Sequence, residues 1–213
     1  MAHVMIITDG MRRYARAHGL TVVQSYEKAA AKLVDLARDL LAVPSFDEVT
    51  FFLAAPYNLA RDSGDVDAIR SGSEVFFKQL PAHIGMDVSV SLIGESETLA
   101  EFVPAAFGGA VRMSPASGEL PKRFNILAFY DYYTACSTLE PPQNWRPFRR
   151  PIDLIFRFGQ PFGLVRGSAI FPMSEQAYWH GVSDLFPDFP REDIPTRAIE
   201  LLIRAGRLRT AAE

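Results

Sequence analysis

The stretch that decides the fold is residues 3–19, which read HVMIITDGMRRYARAHG. Its first six residues form a short apolar run, which predicts a buried strand. Asp9-Gly10 marks a turn, and the residues after it have helical character until Gly19, a typical helix stop. A buried strand that passes through a tight turn into a helix indicates an α/β fold.

The rest of the chain continues this alternation of strands and helices. Residues 26–41 place Leu33, Leu36, Ala37 and Leu40 at helical spacing, which predicts an amphipathic helix before Pro44. Strands that alternate with helices form a mainly parallel sheet with helices on both faces. We therefore predict a single-domain α/β fold over residues 1–213. The further segments are strands at 48–54, 88–92, 124–129 and 152–156, and helices at 66–80 and 190–207.

The composition indicates an ordered protein and excludes several classes of function. Of the 213 residues, 48% are apolar, and the formal net charge is −3, so the overall charge does not favour nucleic acid or an anionic membrane as a partner. Cys136 is the only cysteine, which excludes an internal disulfide and a cysteine-based zinc site. No charged targeting region opens the chain, and no apolar run approaches the ~20 residues of a membrane span. We expect a cytoplasmic protein without stable membrane insertion.

Asp9 is the leading candidate for chemistry, because parallel-sheet proteins bind ligands outside the carboxyl ends of their strands. An aspartate there can hold a hard divalent cation. The helix behind it offers backbone N–H groups and a positive dipole to phosphate, and Arg12, Arg13 and Arg16 can bind phosphate oxygens. Spacing alone also fits a plainer alternative, in which Asp9 caps the helix and the arginines form a solvated basic face.

The same stretch resembles the opening motif of the cis-prenyl diphosphate synthases, the undecaprenyl diphosphate synthase family, which typically reads H-x-A-x-I-M-D-G-N-G-R-W-A. Later segments resemble further motifs of that family, in the family's order. The resemblance implies a Mg²⁺-dependent prenyl diphosphate synthase that takes allylic diphosphates as substrates and forms a homodimer. The later segments are FFLAAPYNLAR at 51–61, NILAFY at 125–130, IDLIFRFG at 152–159 and FPDF at 186–189.

The resemblance also implies roles for individual residues. Asp9 resembles the catalytic carboxylate that holds Mg²⁺ on a diphosphate, and Asn58 resembles a polar residue assigned to proton removal or acceptor positioning. At the family's second metal carboxylate the alignment needs a gap, where Tyr178 or His180 falls, with Glu175 nearby; His180 can ligate a metal, although a stacked or surface histidine is the plainer alternative. The implied substrate-binding residues are Gly10, Met11, Arg12, Arg13, Tyr14, Tyr57, Arg61, Arg157, Arg166 and Ser168.

The sequence departs from the family motifs where the family binds the allylic donor and handles the proton. Met11 stands in place of Asn, Val22 and Tyr26 in place of Arg and His, and Ala55 and Tyr57 in place of Ser and Glu. These departures are similar to those of family members that join two C5 allylic diphosphates head-to-middle. Two alternatives stay open: regular head-to-tail synthesis of a short cis product, and a non-catalytic subunit of a cis-prenyltransferase complex.

Overall fold

The computed structural model describes residues 1–110, 120–130, 148–159 and 176–209, and within these ranges a six-stranded sheet organises the chain. The strand order is β3-β4-β2-β1-β5-β6, and every neighbouring pair is parallel. The predicted α/β class is therefore confirmed. The strands are β1 Ala2–Ile7, β2 Phe46–Ala54, β3 Val88–Ile93, β4 Lys122–Ala128, β5 Leu154–Phe158 and β6 Tyr178–Val182.

Helices connect β1 to β2, β2 to β3 and β3 to β4, and a further helix follows β6. Their ends follow local sequence signals. α1 ends at Gly19, whose φ of 65° lies in the left-handed region. α2 begins earlier than predicted because Thr21 and Gln24 form a reciprocal capping box. The helices are α1 Met11–His18, α2 Val22–Ala42, α3 Ser63–Gln79, α4 Ser96–Phe102, α5 Phe107–Ala110 and α6 Asp193–Arg204, with short 3₁₀ helices at Pro56–Ala60 and Leu80–His83.

The two faces of the sheet carry separate cores. On β1, Val4 and Ile6 point into the larger core, and Met5 and Ile7 point into the smaller one, as the alternation of a strand requires. α2 lays its apolar side chains on the larger core. Because the strands are parallel, the carboxyl ends of β1, β2, β4 and β5 meet at one edge of the sheet, and Asp9 lies there. In the described ranges, no helix is long and apolar enough to cross a membrane.

A buried polar network occupies the opposite end of the strands. His3 Nε2 lies 2.7 Å from Thr50 Oγ1, and Asn125 donates to the Glu48 carboxylate over 2.7 Å. The same carboxylate accepts the backbone N–H groups of residues 149–150 at 3.0 and 3.2 Å. Glu48 therefore holds the segment before β5 in place through these two hydrogen bonds. β5 is the strand that carries Arg157.

This network predicts an acid-sensitive stability. Burial lowers the pKa of His3 from 6.5 to about 4, so between these pH values the unfolded chain binds a proton that the folded chain does not. We expect the free energy of unfolding to fall as the pH drops through this window, by up to about 3 kcal/mol. Urea unfolding at pH 7, 5.5 and 4.5 measures this fall.

His3→Gln is the control for that measurement, because glutamine keeps a donor for Thr50 and does not titrate. Burial raises the pKa of Glu48, and protonation of Glu48 in the folded state at acidic pH acts in the opposite direction from His3. Because the variant lacks the His3 titration, it should lose less stability between pH 7 and pH 4.5 than the parent protein does. An equal loss in both proteins would assign the acid sensitivity to other groups.

Candidate active site

Asp9 follows β1 and lies between two arginines from different segments. Its Oδ1 is 3.5 Å from Arg13 Nη2 in the first turn of α1, and its Oδ2 is 4.0 Å from Arg157 Nη2 on β5. The Asp9 side chain is 39% exposed, so the carboxylate can reach a ligand, whereas Arg157 is 13% exposed. Of the residues singled out from the sequence, Asp9, Arg13 and Arg157 are thus brought together.

The turn at Asp9 is tightly enclosed by two other segments. Gly10 has a φ of 103°, and a Cβ at that position would lie 2.6 Å from Leu185 Cδ2. Gly159 follows β5 with a φ of 73°, and a Cβ there would lie 3.1 Å from the Asp9 carbonyl and 2.9 Å from Arg13 Nη2. Both positions therefore require glycine.

Backbone hydrogen bonds join the same three segments. The Phe186 N–H donates to the Asp9 carbonyl over 3.2 Å, and the Gly159 N–H donates to the Asp184 carbonyl over 2.9 Å. The sequence alone predicts no role in the site for residues 184–186 or for Gly159. Two sequence signals nevertheless point to them: Gly159 ends the strand segment that holds Arg157, and Phe186 opens the FPDF motif.

The donor chemistry at Asp9 fits Mg²⁺. This cation takes oxygen ligands in octahedral geometry, commonly from one or two carboxylates together with substrate phosphates and water. Asp9 offers one partly exposed carboxylate, and the guanidinium groups of Arg13 and Arg157 lie beside it. The residues therefore fit a cation shared between Asp9 and a bound diphosphate.

A second pair of arginines shares one buried carboxylate. Asp65 on α3 is 3.0 Å from Arg12 Nη1 and 4.0 Å from Arg61 Nη1. Arg61 also donates to the Tyr26 hydroxyl over 3.4 Å, and burial raises the pKa of that phenol, so Tyr26 stays neutral at physiological pH. Arg12 and Arg61, both predicted to bind substrate, thus lie together.

An apolar cavity of about 50 Å³ lies beside the Asp9 turn. It is enclosed by α2, α3 and the carboxyl ends of β1, β2 and β4. Met11, predicted to bind substrate, is in its wall, as are Tyr26, Phe76 and Phe129. Anionic and apolar parts of one ligand could therefore be bound side by side.

Tyr14 packs between α1 and α2. The side chain is buried, its hydroxyl accepts a hydrogen bond from Lys28, and its ring lies 4.1 Å from the ring of His18, centroid to centroid. Its visible contacts stabilise α1 behind the arginines. Its substrate-binding role stays a prediction.

Asn58 and Tyr57 lie on the 3₁₀ helix Pro56–Ala60, after β2. Asn58 Oδ1 accepts the Ala55 N–H over 2.7 Å, so the side chain closes this turn. The Tyr57 ring is 58% exposed. The catalytic role of Asn58 therefore stays a prediction, and its amide nitrogen is the group that would have to act.

His180 lies on β6, opposite Phe156 in register, with its ring edge-on to the Phe156 ring at 5.2 Å. Burial and the nearby Arg197 lower its pKa. It lines a groove with Asp184, Asp193 and α6 residues, and Asp9 is not part of that lining as described. Its metal role stays a prediction.

Arg166, Ser168 and Glu175 lie outside the described residues.

The fold and the site together define a class of protein. A parallel sheet with a carboxylate and arginines at its carboxyl edge, next to an apolar cavity, has the charge and the apolar surface that a phosphorylated molecule with a hydrocarbon group requires. The chain belongs to the undecaprenyl diphosphate synthase family of prenyltransferases, whose family model matches residues 7–132.

Individual relatives agree with this family. The chain is 33% identical over 97 residues to (2Z,6Z)-farnesyl diphosphate synthase CPT6 of Solanum lycopersicum, covering 46% of this chain and 33% of that protein. It is 30% identical over 92 residues to nerylneryl diphosphate synthase CPT2 of the same species, covering 43% and 28%. The chain thus spans a third or less of the length of the curated relatives that it matches.

A solved structure shares the fold over nearly the whole chain. It is the crystal structure of lavandulyl diphosphate synthase from Lavandula x intermedia in complex with dimethylallyl diphosphate, with a TM-score of 0.65 and 20% identity over 98% of this chain and 95% of that one. At this identity the likeness shows the fold alone.

Proposed function

We propose that this chain is a Mg²⁺-dependent prenyl diphosphate synthase that joins two dimethylallyl diphosphate molecules head-to-middle into a C10 diphosphate of the lavandulyl type. The observation that carries the proposal is the Asp9 carboxylate between Arg13 and Arg157, next to a small apolar cavity. This arrangement can bind a diphosphate and its hydrocarbon group at once.

In the proposed reaction, the C–O bond between the donor's dimethylallyl group and its diphosphate breaks, and the diphosphate leaves with the electron pair. Arg13 and Arg157 can bind the oxygens of this leaving group, because the guanidinium fork matches phosphate geometry. Mg²⁺ held by Asp9 would neutralise the charge that develops on those oxygens. The arginines act in a partly buried site, where such stabilisation is stronger than in water.

The second molecule supplies the electrons for the new bond. Its double bond attacks the allylic cation, and a C–C bond forms. The remaining tertiary cation then loses a proton, which the released diphosphate can accept, to give the C10 product. Asn58 and Tyr57 are proposed to position this acceptor, together with Arg166 and Ser168 from the family resemblance. If the proton lost from a methyl group of this cation is returned to the donor-derived double bond, a second tertiary cation forms, which the new terminal double bond can attack to close a six-membered ring, as in a cyclolavandulyl-type diphosphate.

The size of the cavity supports a short product. Apolar cavities of ~150 Å³ hold a molecule of the size of benzene, and the cavity beside Asp9 measures about 50 Å³. A C5 group would already need the walls of this cavity to move outward, and a long polyprenyl chain would need far more room than the cavity offers. The fold shared with a lavandulyl diphosphate synthase that binds dimethylallyl diphosphate is consistent with the same substrate class.

Incubating the purified chain with dimethylallyl diphosphate and Mg²⁺ tests the proposal. We expect a C10 alcohol of the lavandulyl type after phosphatase treatment, and no product when EDTA removes the metal. Product formation only after addition of isopentenyl diphosphate would instead indicate regular head-to-tail synthesis. Absence of turnover with either substrate set would favour the non-catalytic subunit.

A further inference from the structure

We propose that Lys32 on α2 is a positioning residue that holds Asp9 in place through the turn at residues 185–189. We call residues 185–189 the FPDF turn, because residues 186–189 read FPDF. The inference rests on the proposed function, because it assigns Lys32 a part in the geometry of the Asp9 site.

Lys32 binds the FPDF turn through three carbonyl groups. Its Nζ donates to the Phe186 carbonyl over 2.8 Å, to the Pro187 carbonyl over 3.2 Å, and to the Phe189 carbonyl. The ammonium also lies 5.0 Å from the centroid of the Phe186 ring, at the distance of a cation–π contact. An ammonium group has three donors, and here one turn accepts all of them.

The FPDF turn and the residue before it also contact the main chain at Asp9 and at Gly159. The Phe186 N–H donates to the Asp9 carbonyl over 3.2 Å, and the Leu185 side chain fills the space in front of Gly10. The carbonyl of Asp184, next in the chain, accepts the Gly159 N–H over 2.9 Å. A displacement of this turn would therefore shift Asp9 relative to Arg157, which lies two residues before Gly159.

The protonation of Lys32 makes these contacts depend on pH, so a pH profile can test them. Burial lowers its pKa to about 8, while Asp188 and Glu192 act in the opposite direction and Lys28 and Arg191 act in the same direction. His18 faces the same surroundings, at 3.0 Å from Asp188. Deprotonation removes the charge and one of the three donors, so the hold on the FPDF turn weakens as the pH rises through about 8.

Two substitutions separate positioning from plain structural support. Lys32→Met removes the donors and keeps the length of the side chain, whereas Lys32→Arg keeps a cation that does not titrate below pH 12. Lys78→Met on α3 is the matched control, because it removes one exposed lysine that is paired only with Glu74 among the described contacts.

The experiment compares kcat and KM of the four full-length proteins with dimethylallyl diphosphate and Mg²⁺ from pH 6 to 9.5. We expect Lys32→Met to lower kcat by roughly ten- to a hundredfold with a smaller change in KM. The parent should lose activity with a midpoint near pH 8, and Lys32→Arg should move that midpoint upward by at least about one pH unit. A Lys32→Met protein with the parent's kcat, or a Lys32→Arg protein with the parent's midpoint, would overturn the proposal, even if both variants melt at lower temperature.

A binding measurement separates this inference from the proposed function. If the parent shows no turnover, the function fails, and Lys32 is judged by calorimetric binding of pyrophosphate with Mg²⁺ at pH 7. Positioning of Asp9 predicts at least about tenfold weaker binding to Lys32→Met than to Lys78→Met. Equal binding to the two variants would overturn the positioning role.

Discussion

Asp9→Asn is expected to lower kcat with dimethylallyl diphosphate by roughly a thousandfold and to leave the fold unchanged. Asparagine has the size of aspartate and keeps an oxygen that accepts the Gly10 N–H, as Asp9 Oδ1 does. It loses the negative charge that a hard cation requires. Steady-state rates over a Mg²⁺ titration, together with thermal unfolding, measure both halves of this expectation.

Pyrophosphate binding makes the same substitution more informative. Without metal, the Asp9 carboxylate repels an anion that approaches Arg13 and Arg157, so we expect Asp9→Asn to bind pyrophosphate more tightly than the parent does. With Mg²⁺ the order should reverse, because the cation loses its protein ligand. Asp67→Asn, an exposed position on α3, is the control for loss of one charge. An Asp9→Asn protein that keeps the parent's rate, and that binds pyrophosphate as tightly as the parent both with and without Mg²⁺, would exclude Asp9 as the metal ligand.

The meeting of Asp9 with Arg157 could be predicted from the sequence because two rules agree. Each residue lies at or just past the end of an apolar run that reads as a strand, and parallel strands end at one edge of the sheet. β1 and β5 are indeed neighbours, with Ile7 opposite Arg157. The family motifs point to the same pair of residues, so local pattern and global fold are consistent.

Other parts of the structure have no comparable signal in the sequence. β6 reads YWHGV, which is short and has neither a continuous apolar run nor a regular alternation, so only its pairing with β5 makes it a strand. The partners of Lys32 are backbone carbonyls more than 150 residues away, and every residue type carries such a carbonyl. Contacts of this kind become visible only when the fold brings the segments together.

The role of Asn58 could not be predicted from the sequence for a different reason. It matches a polar position in a family motif, yet its side chain accepts the Ala55 N–H in a 3₁₀ turn. An asparagine that closes a turn and an asparagine that positions a substrate have the same spacing in a sequence. The side-chain oxygen of Asn58 accepts the hydrogen bond that closes the turn. Any contact of Asn58 with the substrate would therefore be made by its amide nitrogen.

Gly159→Ala carries the second large expected effect, because its added methyl group would meet the Asp9 main chain directly. The methyl carbon would lie 3.1 Å from the carbonyl carbon and oxygen of Asp9 and 2.9 Å from Arg13 Nη2. Asp9 must then move away from β5, and with it from Arg157. The 3.1 Å contacts require the Asp9 main chain to move by roughly a few tenths of an ångström. Since a misplacement of about 1 Å can cost two orders of magnitude in rate, we expect kcat to fall by roughly tenfold.

Gly206→Ala is the matched control for this substitution, because it separates the contact from the backbone strain. Gly206 has a φ of 67°, close to the 73° of Gly159, and a Cβ there would meet nothing within 4 Å. Alanine in this left-handed conformation costs about 1–2 kcal/mol at either position. In urea unfolding, Gly206→Ala should therefore lose about this much stability, and Gly159→Ala should lose at least as much, because its methyl group also displaces the Asp9 main chain. Only Gly159→Ala should also lose activity. If both variants kept the parent's kcat, the approach of β5 to the Asp9 turn would not set the catalytic geometry, and the arginine on β5 would have to act from farther away.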